Sequence, residues 1–185
     1  MNIIELFSQN KVVWTWHSGL VTNSRQLVMG FSGASKAIAI ASAYEKLSKK
    51  IMVVTATQTD SDKLSSDISS LIGEDNVYQF FADDVPAAEF IFSSLDKSIS
   101  RLSALRFLKD PEKNGVLITS ISGLRLLLPN PEVFSKSQYK FEIGQECYLD
   151  KLCKNLVNLG YQKVSQVFSP GEFSQRGDIL SLIHI

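Results

Sequence analysis

The run Ile51-Met52-Val53-Val54-Thr55 is β-rich and apolar without alternation, the pattern of a strand covered on both faces. A second such run, Val116-Leu117-Ile118-Thr119, follows after segments of helical period. Strands separated by helices run parallel, because only a long crossover returns the chain in the same direction. The expected fold is therefore α/β: a mostly parallel sheet flanked by helices and built from βαβ units.

The other segments fit that plan. Ile3 to Phe7 reads as a short amphipathic helix, with Trp14 and Trp16 covering a core edge. Gln26-Leu27-Val28-Met29-Gly30 reads as the first core strand, Phe31-Ser32-Gly33 as a turn, and the alanine-rich Ala34 to Leu47 as a helix. Thr59 or Asp60 is placed to cap a helix whose Leu64, Ile68, Leu71 and Ile72 recur at helical spacing, and Gly73 stops it. Val77 to Phe81 is the next strand. Beyond a loop carrying Asp83, Asp84 and Pro86, Ile99, Leu102, Leu105 and Leu108 mark a helix closed by Pro111 and Asn114-Gly115.

The pattern changes after Pro129-Asn130-Pro131. Residues 1–137 are accordingly read as the α/β domain and residues 138–185 as the start of a partial α+β second domain. Leu149 to Leu159 is its helix, closed by Gly160. Val164 to Ile185 supplies two short strands joined by a Pro170-Gly171 turn.

Of the 185 residues, 44% are hydrophobic, enough for a sizeable core. The 19 basic and 19 acidic side chains cancel, which excludes capture of nucleic acid by bulk positive charge. No leader pattern and no run of about eighteen apolar residues is present, so a cytoplasmic protein without a membrane span is expected. Cys147 and Cys153 are spaced for free thiols rather than a pair, and His17 and His184 have no companion ligands, so no metal is expected.

Gly30-Phe31-Ser32-Gly33-Ala34-Ser35-Lys36-Ala37 occupies the place of a phosphate-binding loop, between strand and helix. A working loop needs glycine before the lysine, where backbone and phosphate crowd, and a hydroxyl after it to hold magnesium. Ser35 and Ala37 stand at those two positions. Three readings remain: a small-residue turn that lets the helix approach the sheet, an anion site for phosphate or sulfate at Gly30, Gly33, Ser35 and Lys36, and ATP hydrolysis. A serine hydrolase built on Ser18 or Ser32 with His17 lacks the Gly-x-Ser-x-Gly elbow.

The loop from Gly30 to Ala37, the segment Val116 to Ser122 and the stretch Leu159-Gly160-Tyr161-Gln162-Lys163-Val164 followed by Pro170 to Leu180 resemble the excision-repair helicase UvrB and, more closely, the bacterial transcription-repair coupling factors. UvrB has an intact phosphate loop and a tyrosine-rich hairpin. Here the loop is degenerate and Asp83 to Ser98 has no tyrosine. The resemblance implies a degenerate P-loop domain of the UvrB type, without a cofactor and non-catalytic, followed by a UvrA-binding domain. It implies UvrA as partner through Lys163, Phe173 and Arg176, with Ser174 where UvrB has arginine.

In such a protein the module recruits nucleotide excision repair to RNA polymerase stalled at damage. RNA polymerase and DNA are then reached through other domains, and an ATP-dependent translocase lies elsewhere in the chain. The alternative is an ATP-binding module of a UvrB-like helicase. Ser181 to Ile185 departs from the acidic and aromatic continuation of the family, so an altered terminus and an exposed sheet edge are expected. A lone Arg176 before Gly177 also has a plain reading as a solvated surface charge.

Overall fold

The structure, a computed structural model, describes residues 2–82, 93–128, 130–139 and 141–183. Asp83, Asp84 and Pro86 of the expected loop, and His184 and Ile185, lie outside them. The chain forms two compact units, Met1–Leu126 and Leu127–Ile185. The boundary expected after residue 137 falls inside the second unit, just beyond its first helix. No helix among the described residues is long and apolar enough to cross a membrane.

The first unit runs α1 (Ile3–Ser8), α2 (Lys11–Ser18), α3 (Ser35–Leu47), β1 (Lys50–Thr55), α4 (Gln58–Ile72), β2 (Val77–Phe80), α5 (Ser93–Lys109), β3 (Gly115–Ser120) and the short α6 (Ile121–Leu124). Its three strands are parallel in the order β1-β3-β2. Val116 pairs with Ile51 on one side and Val77 on the other. The last strand in sequence is thus the central one, and every residue of β3 is buried. Alternation along β3 serves both faces: Ala37 and Ile68 pack with Val116 and Ile118, while Phe80, Ala104 and Phe107 pack with Leu117. Each fully buried Val, Leu or Ile side chain of this kind contributes about 1.5–3 kcal/mol.

One end of the sheet is fixed by a stack. Tyr78 and Phe107 lie 4.1 Å apart at 11° between ring planes, and the Lys50 ammonium sits 5.1 Å over Phe107. Lys50 also donates to the carbonyls of Leu108 and Asp110, satisfying the end of α5 with a cation where the helix dipole favours one. Gly115 is required beside this stack, because a Cβ there would come 2.8 Å from the Asn76 carbonyl.

Several expectations change. Gln26 to Gly30 forms no strand: it pairs with no neighbour among the described residues, and Leu27 and Met29 are 87% and 78% exposed. An apolar, β-prone run becomes a strand only where a ladder partner exists, and β1, β3 and β2 pair only with one another. Both-sided coverage holds for β3 but not for β1, whose Met52 and Val54 are exposed. The tryptophans lie on a helix, α2; Trp14 points to solvent, and only Trp16 covers an edge. Thr57 caps α4, accepting from Asp60 N–H at 3.1 Å, in place of Thr59 or Asp60. On α5 the buried positions are Ala104 and Phe107, and Leu108 is exposed.

The second unit contains α7 (Pro131–Lys136), α8 (Leu149–Asn158), β4 (Gln162–Lys163), β5 (Glu172–Arg176) and β6 (Ile179–Leu182). Its sheet has the order β4-β5-β6, with β4 parallel and β6 antiparallel to β5. The range 164–185 holds two strands among the described residues, β5 and β6, as expected, and β4 lies just ahead of it. The Pro170-Gly171 turn precedes β5, and Gly177-Asp178 makes the hairpin to β6. Phe173 fills the core against Leu152 and Leu156 of α8.

His17 ties α2 to α3. Its Nε2 lies 3.1 Å from Ser42 Oγ, both residues are buried, and Ser42 itself donates to the Ala39 carbonyl. Burial first, and the Lys46 charge second, hold the imidazole below its ordinary pKa of about 6.5. The fold therefore favours the neutral ring, and the unfolded chain binds the proton more readily. The resulting stability is fully present above the ordinary value and is lost as pH falls through the lowered one. Denaturant unfolding should show a smaller unfolding free energy at pH 5.5 than at pH 7.5, with part of that slope removed in His17→Gln. Equal slopes in the two proteins would rule out His17 as the source.

Candidate functional site

The loop ahead of α3 is held by its own side chains. Gly30 and Gly33 take positive φ angles of 91° and 53°, a conformation costly for other residues. Phe31 packs against Phe7 and Trp16, with ring centroids 6.1 and 6.0 Å away. Ser35 Oγ accepts the Ser32 N–H at 2.9 Å and donates to the Ser32 carbonyl at 2.7 Å. The N–H groups of Ser35 and Lys36 close onto the carbonyls of Ser32 and Gly33. A phosphate cradle needs such N–H groups turned toward the ligand, and three of them here are spent within the loop.

Ala37, where a hydroxyl would meet magnesium, is 1% exposed and packs into the core with Ile68 and Val116. Lys36 lines a cleft of roughly 620 Å³ together with Trp16, Phe31, Lys63, Asp60 and Asp67. Two lysines and two aspartates face this cleft, so it has no net bias toward a polyanion. At the carboxyl ends of the strands, where parallel sheets usually bind ligands, the hydroxyls are paired among themselves. Thr55 Oγ1 lies 2.6 Å from Ser61 Oγ, and Thr119 Oγ1 donates to the Phe80 carbonyl at 2.9 Å. Among the described residues no three His, Cys, Asp or Glu side chains cluster as metal ligands.

Among the described residues neither Ser18 nor Ser42 is placed as a nucleophile beside His17. Ser18 donates to the Trp14 carbonyl, and Ser42 commits its proton to Ala39, so His17 acts as donor toward it. The two cysteines are free; Cys153 donates weakly to Gln175 Oε1 at 3.4 Å.

In the second unit the structure separates the three residues singled out from the sequence. Phe173 is 0% exposed, so its side chain has no surface to offer a partner and instead holds β5 on α8. Lys163 is exposed but stands in register with Phe173, on the side of the sheet facing α8. Arg176 is exposed and falls on the opposite face of β5 by alternation. That face carries Glu172, Ser174 and Arg176, and all three reach the connection between β4 and β5. Glu172 Oε2 accepts the N–H groups of Phe168 and Ser169 at 2.8 and 3.0 Å, which lowers its pKa. Ser174 Oγ and one Arg176 N–H donate to the Ser165 carbonyl at 3.0 and 3.1 Å. Sequence reasoning missed this clamp, although polar residues at every second position of a short strand carry its signal.

Residues 139–185 match the family model of the UvrB interaction domain. The chain is 33% identical over 156 residues to the transcription-repair-coupling factor of Staphylococcus haemolyticus (strain JCSC1435), covering 84% of this chain and 13% of that protein. It is 30% identical over 156 residues to that of Staphylococcus aureus (strain NCTC 8325 / PS 47), again 84% and 13%. With that of Bacillus subtilis (strain 168) the identity is 27% over 166 residues, 90% of this chain and 14% of the relative. The chain thus spans about an eighth of the length of these relatives.

From the closed loop we expect the purified chain to hydrolyse ATP no faster than background, with or without DNA, in a coupled phosphate-release assay. DNA-stimulated turnover lost in Lys36→Ala would overturn this.

Proposed function

We propose that this chain, homologous to part of the transcription-repair-coupling factors and carrying a UvrB interaction domain over residues 139–185, is a non-catalytic docking module for UvrA. In that role it brings the excision-repair machinery, in the cytoplasm, to RNA polymerase stalled at DNA damage. Contacts with polymerase and DNA, and any ATP-driven translocation, belong to other parts of such a protein. The family match over the second unit carries the reading, and the exposed Arg176 on the outer face of its sheet gives it a chemical focus. We take residues 138–185 as the docking domain and residues 1–137 as the degenerate P-loop domain preceding it. The alternative, an ATP-driven helicase module, is disfavoured by the Ser32–Ser35 closure and the buried Ala37.

Arg176 spends one N–H on the Ser165 carbonyl and presents a planar guanidinium suited to bidentate pairing with a carboxylate of UvrA. Arginines at interface centres are often hot spots whose truncation costs about 2 kcal/mol or more. Its contribution to folding is one hydrogen bond at an exposed position, worth about 1 kcal/mol at most. Arg176→Ala should therefore weaken UvrA binding at least about tenfold by calorimetry while shifting the melting temperature little. Lys163→Ala, on the other side of the sheet, should have the smaller effect. Unchanged affinity in Arg176→Ala would assign this arginine to the solvated surface.

A further inference from the structure

The connection between β4 and β5 spans residues 164–171, short for a parallel crossover, which usually takes a dozen residues or more and a helix. No helix lies in this crossover, and side chains of β5 bond part of its backbone. Glu172, Ser174 and Arg176, all on one face of β5, take up the N–H groups of Phe168 and Ser169 and the carbonyl of Ser165. A turn at Pro170-Gly171, with Gly171 at φ 84° and Glu172 N–H returning to the Ser169 carbonyl, fixes the remaining end. The loop is therefore pinned at both ends and in the middle.

Phe168 stands on this pinned loop and is 74% exposed. A single exposed aromatic is ordinary in itself, but its setting is not. Ile179, 69% exposed, is the cross-strand partner of Arg176 and so shares its face, whereas Leu180 and Leu182 alternate into the core. One face of the small sheet therefore joins Arg176 and Ile179 to the loop displaying Phe168. Glu172, an acid on the same face, is committed to two backbone N–H groups, which leaves the Arg176 guanidinium to attract an acidic group.

We propose that Phe168 is the apolar anchor of the docking surface, held in its binding pose by the Glu172–Ser174–Arg176 clamp, and that the protein partner offers a hydrophobic pocket bordered by a carboxylate. This rests on the docking reading given above. A side chain displayed by a rigid loop binds without the ordering cost of a free one, and rigid aromatics beside an arginine are the usual makeup of an interface centre. Within this surface Glu172 is a positioning residue that acts through the loop.

The test uses the 185-residue chain titrated calorimetrically with UvrA, in wild type, Phe168→Ala, Phe168→Leu, Glu172→Gln and Arg176→Ala. Phe168→Ala is expected to weaken binding about tenfold or more with an unchanged melting temperature, and Phe168→Leu to recover most of the affinity. Glu172→Gln is expected to speed amide exchange at Phe168 and Ser169 and to weaken binding less than Phe168→Ala. Undiminished binding by Phe168→Ala, alongside weakened binding by Arg176→Ala, overturns the anchor and leaves the docking reading standing. Failure of the wild-type chain to bind overturns both.

Discussion

Everything in the first unit depends on the burial of β3. Among the described residues it is the last strand of this unit in sequence and the one with a strand on each side, so β1 and β2 meet no sheet until it is inserted. Its enclosure is complete because side chains from α3, α4 and α5 close over it from both faces. The hydroxyl of Thr119 at its end bonds the Phe80 carbonyl of β2, and Ser120 caps α6, so polar groups in the buried region are used to terminate elements. The close approach of α6 is visible at Gly123, where a Cβ would collide with the Thr119 hydroxyl and sit 3.2 Å from the Phe80 carbonyl.

Alternation along β5 is the corresponding constraint in the second unit. Phe173 must face α8 to give this small sheet a core, and that choice of face fixes where every other residue of the strand points. Ser174 and Arg176 are thereby turned to the opposite side, and the hairpin register brings Ile179 with them. A slip of one residue would bury Arg176 and expose Phe173 at once. The exposure of Arg176 and Ile179 and the packing of Phe173 are thus consequences of one register.

The parts of this architecture legible in the sequence were those written as local patterns. Ile51 to Thr55 and Val116 to Thr119 announced strands by apolar runs, though only the second is buried on both faces, and Leu64, Ile68, Leu71 and Ile72 announced α4 by spacing. Gly73 and Gly160 marked helix ends. Gln26 to Gly30 misled because β propensity does not reveal whether a pairing partner exists. Phe173, which the resemblance implied as a UvrA contact, is buried against α8, and only strand register shows that it faces inward. The Glu172 clamp went unread because its partners are backbone groups of Phe168 and Ser169, which composition cannot display. Lys163 offered charge without the guanidinium geometry of Arg176, and pairing with β5 places the two on opposite faces as well.

The loop ahead of α3 is a packing element held by its own side chains. A glycine before the lysine would leave the Ser32 N–H without the Ser35 hydroxyl that now receives it. A hydroxyl at position 37 would be buried against Ile68 and Val116, where an unpaired polar group costs about 1–3 kcal/mol. Phe31 adds a hydrophobic tether to Phe7 and Trp16 that holds the loop against the amino-terminal helices. Ser35 and Ala37 thus each make an intramolecular contact, so the loop has no need of a ligand to keep its shape. Ser35→Gly together with Ala37→Thr would remove the Ser35 side-chain hydrogen bonds and place a hydroxyl in the core before any nucleotide was bound, so the loop as it stands is stabilised by the packing of its own unit.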